Sequence, residues 1–190
     1  QGIMDALNKL YLGKIKYKKL LLIVSDRAAY MKLAVAKLKE TNLFPNLHHV
    51  TCLAHAIHNL CDKIRKDHIL ANKFISVMKD ILSKTPQRIQ FYKEITGLSL
   101  PPNVIITRWG SWIDAAVYYA NNYNQVTKFL ENIPNKSKSI STAKLLLKDS
   151  ILKDELITIL DYSFLSKYVT KLELENLKVK KQLKIKRVIK

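Results

Sequence analysis

Cysteine is nearly absent: Cys52 and Cys61 are the only two in 190 residues. That excludes a disulfide framework and fits a reducing, intracellular setting. Acidic residues are also short, with 15 Asp and Glu against 33 Lys and Arg, a formal charge of +18. Such an excess draws in polyanions and speeds their encounter, so DNA or RNA is the natural partner class. Arginine itself is sparse. Only Arg27, Arg65, Arg88, Arg108 and Arg187 are present, whereas base and phosphate readers draw heavily on the guanidinium fork. A lysine-rich proteome filling its surfaces is therefore the competing source of the charge. No stretch approaches the roughly 18 apolar residues of a spanning helix, so no membrane role is expected. Lys9, Lys14 and Lys16 break any apolar leader core near the start. Internal repeats are absent too. The chain opens on Gln1 rather than Met, so it is expected to be an excerpt of a longer polypeptide.

What is there suffices for a core: hydrophobic residues make up 48%. Residues 3–12 carry Ile3, Ala6, Leu7 and Leu10 at helical spacing, and Gly13 ends that helix. The run 19–25 is apolar without alternation, the pattern of a strand buried on both faces in a parallel sheet. Residues 28–40 follow as a helix with Met31, Ala34, Val35 and Leu38 on one stripe. After the Phe44-Pro45-Asn46 turn, 47–52 is short and β-prone, and 53–66 is helical. Strand, helix, strand, helix from 19 to 66 predicts a parallel βαβα unit with a right-handed crossover.

Beyond this unit the pattern is helical. Helices are predicted over 69–83, 87–95 and 111–131. Pro101 and Pro102 keep 97–107 extended, 134–142 reads as a polar linker, and 143–167 holds one or two helices. From Lys167 to Lys190 nine basic residues face only Glu173 and Glu175, about +7, a basic terminal helix or arm. The chain thus divides into 1–68, an α/β core; 69–133, helical; 134–142, a linker; and 143–190, a basic helical segment.

Three places carry candidate chemistry. Asp26 ends the first strand, where open α/β sheets bind ligands. Ser25-Asp26 before a helix is equally an N-cap, and on spacing alone the cap is the better reading. Cys52, His55, His58 and Cys61 repeat every third residue, which invites a zinc reading. On a helix, however, such steps precess by about 60° each, so Cys52 and Cys61 point apart and cannot share an ion. Buried, hydrophobe-like cysteines are the simpler reading. The third place is Thr107-Arg108-Trp109-Gly110-Ser111-Trp112. Here Trp109 can stack on a base while Arg108 grips phosphate. Equally, Trp109 and Trp112 can be core anchors.

The order Ser25-Asp26-x-Ala28-Ala29-Tyr30-Met31, His49-Val50-Thr51-Cys52-Leu53-Ala54-His55-x-x-His58, Pro101-Pro102, then Thr107-Arg108-Trp109-Gly110-Ser111-Trp112 resembles the hAT superfamily of DNA transposases and their domesticated relatives. The resemblance covers about residues 15–131. It implies a ribonuclease H-like core, here partial, followed by an all-helical insertion region. It implies that Asp26 matches the second carboxylate of a metal-binding Asp-Asp-Glu set, and that Cys52 and His55 match the C-x-x-H motif. Arg108 and Trp109 match an Arg-Trp pair that meets DNA. It further implies a nuclear protein whose complete relatives use Mg²⁺. The first Asp of the set is expected upstream of residue 1. The final Glu has no convincing place, with Glu155, Glu173 and Glu175 the only surface candidates. One carboxylate cannot hold two divalent ions. The expectation is therefore a catalytically incomplete fragment that binds no metal by itself, contacts DNA, and forms any homo-oligomer through missing regions. A domesticated binding or scaffold module working through protein partners is the alternative.

Overall fold

The structure, a computed structural model, describes residues 2–26, 28–83, 85–105, 109–172 and 174, the Trp109 side chain excepted. The chain is mixed α/β: mostly helical, with one two-stranded parallel sheet. It divides into two compact units, residues 1–56 and 57–190. The boundary falls inside a helix rather than at residue 68.

In the first unit, α1 (Gly2–Leu10) stops where Gly13 adopts φ +78° and donates its N–H to the Asn8 carbonyl at 2.9 Å. That six-residue closure satisfies a carbonyl the helix leaves open, and glycine takes the left-handed backbone at no steric cost. A 3-10 turn at Tyr17–Lys19 leads into β1 (Leu22–Ser25). Helix α2 (Ala29–Glu40) then crosses over to β2 (His48–Thr51). The strands pair in parallel with Leu22 opposite His48 and Ser25 opposite Thr51. The predicted β-α-β-α order is therefore present.

The small core of this unit gathers Leu7 of α1, Val35 of α2, and Phe44 and Leu47 of the loop before β2, with Ile23 and Leu38 packed against them. One expectation fails here. The β1 run was predicted to be buried on both faces, yet Leu22, Val24 and Val50 are 52%, 56% and 50% exposed. Alternation decides it. Ile23 turns toward the core, and its neighbours in sequence turn the other way, where no layer covers them among the described residues.

Helix α3 (Leu53–Asp67) runs from the first unit into the second. The second unit continues with α4 (Ile69–Ser83), α5 (Pro86–Thr96), a stretch without regular secondary structure over 97–105, α6 (Trp109–Asn121), α7 (Tyr123–Asn132), α8 (Lys138–Leu146) and α9 (Ser150–Leu160). Residues 164–172 are helical as well. Helix α4 is central, lying against α5, α6, α8 and α9. Its Phe74, Met78 and Ile81 are fully buried, as are Tyr92, Tyr119, Phe129, Leu152 and Leu156 from the surrounding helices. Each large side chain removed from water stabilises the fold by about 1.5–3 kcal/mol. Aromatic edges add direction. The Tyr92 and Phe129 rings meet at 4.9 Å and 76°, and Phe74 and Tyr119 at 5.4 Å and 79°.

Two predicted boundaries shift. The single helix over 111–131 is two, α6 and α7. The chain breaks at Asn122, whose backbone (φ −116°, ψ 23°) leaves the helical region. The predicted linker 134–142 is a loop only at first. Ser137 takes an extended backbone, its hydroxyl accepts the Ile140 N–H at 3.4 Å, and α8 begins at Lys138. Serine-rich polarity marked a cap as well as a loop. Most of the basic segment, 175–190, lies outside the described residues.

Candidate functional site

Parallel, in-register pairing brings the carboxyl ends of β1 and β2 together. The ladder continues past both strands, with the Cys52 N–H donating to the Ser25 carbonyl at 2.7 Å. Asp26 and Cys52 therefore leave the sheet side by side, at the edge where α/β sheets hold ligands.

Asp26 is half-buried. Its Oδ1 accepts the Ala28 N–H at 3.2 Å, which orders the turn between β1 and α2. The expected N-cap role is corrected in detail. The residue preceding α2 is Ala28, which offers no side-chain cap; Asp26 sits two residues earlier and braces the approach.

Ser25 and His49 meet diagonally across the pair, Oγ to Nε2 at 2.9 Å, and Ser25 Oγ lies 2.9 Å from the Asp26 carbonyl oxygen, to which it donates. Which of the two donates in their contact follows the imidazole tautomer. That arrangement orients the loop. Sequence reasoning missed this pair; two strand residues 24 apart give no local signal.

Cys52 precedes the first turn of α3, and its carbonyl accepts the Ala56 N–H at 3.1 Å. The His55 side chain, hydrogen-bonded to the sulfur, holds the Cys52 thiol below its ordinary pKa. The His55 and Ala54 main-chain amides add to this, and partial burial opposes it. A helix N-terminus favours a thiolate in just this way. The C-x-x-H spacing is thus read physically: residue three of the helix reaches back to the residue before it. Cys61, in contrast, is buried in the second unit, and burial pushes its thiol up. Among the described residues no three His, Cys, Asp or Glu side chains form a group able to hold a metal ion. Asp26 by itself does not fit a pair of divalent ions, each of which wants about six oxygens.

Arg108 and the side chain of Trp109 lie outside the described residues. Thr107 lies outside them too, and Gly110, Ser111 and Trp112 have structural roles. Ser111 Oγ accepts the Ile105 N–H at 2.9 Å and donates to the Ile105 carbonyl at 3.2 Å, tying the start of α6 to Ile105. A Cβ on Gly110 would stand 3.3 Å from the Ser166 Cα, so glycine permits this helix contact. Trp112 is a core anchor at 2% exposure. Glu155, a sequence candidate for a final catalytic Glu, has another task. Its Oε2 accepts the Ala71 N–H at 2.7 Å and caps the first turn of α4. Glu173 and Glu175 lie outside the described residues.

No helix among the described residues is long and apolar enough to cross a membrane. No protein-family model, curated protein or solved structure matches this chain.

Proposed function

We propose that this chain is a nucleic-acid-binding part of a hAT-type transposase-like protein, and that this stretch alone does not cut DNA. The reading is supported above all by the in-register parallel pair that sets Asp26 beside Cys52, in the motif order of that superfamily. The excess of 33 basic over 15 acidic residues supplies the attraction for a polyanion. In this reading the parallel unit descends from a ribonuclease H-like core, and the helical unit from the insertion region. Arg108 grips a phosphate and Trp109 stacks on a base at a DNA end. The protein works in the nucleus. Asp26 marks a carboxylate position that needs further ligands, so no cleavage step is assigned to it.

Electrostatic DNA binding predicts a steep salt dependence. With about six phosphate contacts, affinity falls about a thousandfold between about 50 and about 200 mM salt. A salt titration by filter binding or anisotropy checks this. Arg108→Ala reduces the slope by about one, and Trp109→Ala weakens single-stranded ends by about 1–3 kcal/mol. A flat salt response removes the nucleic-acid reading. Strand cleavage with Mg²⁺, lost in Asp26→Ala, removes the non-cleaving part.

A second reading, a domesticated scaffold that works through protein partners, is favoured by the uncovered apolar strand face at Leu22, Val24 and Val50. The same titration separates the two.

A further inference from the structure

A second polar feature lies wholly within the helical unit. A cavity of about 380 Å³ sits where the first turn of α5 faces the connection between α7 and α8. Thr85, Gln87, Arg88 and Phe91 line it from one side, and Ile133 and Lys136 from the other. The volume is within the range of small-molecule sites. Its charged lining is all of one sign: Arg88 and Lys136, with no carboxylate among the lining residues.

Arg88 is the informative member. It is only half-exposed, and its Nη1 is buried without a hydrogen-bond partner. A buried guanidinium nitrogen with no acceptor is costly and uncommon, and a bound water or ion is one of its physical explanations. Helix α5 adds to the positive field. It is 11 residues long, and its N-terminal end opens here behind Thr85, which makes no side-chain cap. Phe91, Ile133 and Ile140 supply the apolar part of the lining.

We propose that this cavity is an oxyanion site for a phosphoryl group. Arg88 and Lys136 hold the phosphate oxygens, and the apolar wall takes the nucleoside that carries them. Guanidinium against phosphate is the strong, two-pronged form of such a contact. The site is independent of the DNA reading above. It uses neither Asp26 nor Arg108, and it takes a single phosphate rather than a run of them.

The test is calorimetric titration of the full chain at fixed ionic strength with inorganic phosphate, adenosine monophosphate and adenosine. Saturable binding of one adenosine monophosphate per chain is expected, with no binding of adenosine. Tighter binding of the nucleotide than of phosphate identifies a nucleotide as the ligand, and equal binding identifies the free anion. Arg88→Gln and Lys136→Ala each weaken binding by about tenfold or more, while Lys73→Ala, which removes the same charge elsewhere, leaves it unchanged. Should Arg88→Gln fail to fold, Lys136→Ala decides, because Lys136 is exposed and its loss leaves the core intact. Absence of saturable binding by both phosphate and the nucleotide overturns the proposal. So does binding that Lys136→Ala leaves unchanged.

Discussion

Two cysteines of one helix region differ in every property that sets reactivity. Cys52 stands at the helix start with its sulfur hydrogen-bonded by His55, and its thiol is more acidic than usual. Cys61 is buried, and its thiol is less acidic than usual. The thiolate is the nucleophile, so alkylation reads this difference directly. Iodoacetamide should modify Cys52 at least about tenfold faster than Cys61 under native conditions. The sign follows from the lowered value: the Cys52 rate should reach half its maximum at a pH below that of an unperturbed thiol. His55→Ala should move that midpoint upward. Mass spectrometry of quenched digests measures both. Equal rates at the two sites, or a midpoint unmoved by His55→Ala, would contradict the pairing. The Cys52–His55 contact was not read from spacing: both cysteines were expected to be buried and hydrophobe-like, which holds for Cys61 and not for Cys52, only partly buried at the helix start. That Asp26 braces Ala28 rather than capping the helix was not legible, because it depends on where α2 begins to within two residues.

Among the elements, α4 shows how far an isolated pattern carries. Its span and its buried stripe of Phe74, Met78 and Ile81 follow from helical periodicity, and the structure agrees. Its N-terminal cap does not follow. Glu155 lies 84 residues from Ala71 in sequence, and along its own helix it reads as a surface acid. Only packing of α9 against α4 brings it there. A carboxylate on a helix N-terminus gains from both the charged hydrogen bond and the dipole. Glu155→Ala should therefore lower stability by about 1–3 kcal/mol, and Glu155→Gln by roughly half as much. Urea midpoints of the two variants test this; an unchanged midpoint in Glu155→Ala would refute the capping role. The break between α6 and α7 was missed for a related reason. The apolar stripe through Tyr119, Tyr123 and Val126 continues across Asn122, so periodicity alone sees one helix where the backbone makes two.

At the scale of the whole molecule the two units are unequal. The first rests on Leu7, Val35, Phe44 and Leu47 with a few partly buried neighbours, whereas the second encloses buried side chains from every helix between α3 and α9. A small core recovers little of the entropy lost on folding. The alternation that left Leu22, Val24 and Val50 outside weakens it further. The β-α-β-α order was legible because apolar runs and stripes are local. The one-sided burial of the sheet was not, because it depends on how many layers the fold supplies. Helix α3 belongs to both units: Ala56 falls in one and Ile57 in the next. A single rod of hydrogen bonds is thus anchored at its two ends in bodies of unequal strength. Amide deuteration along it should consequently be graded, fast near Ala56, where opening follows the weaker body, and slow near Ile64, where it follows the stronger. Uniform protection from end to end would mean that the fifteen residues of α3 melt as one with the larger body. A gradient would make this helix a built-in gauge of how independently the two halves breathe.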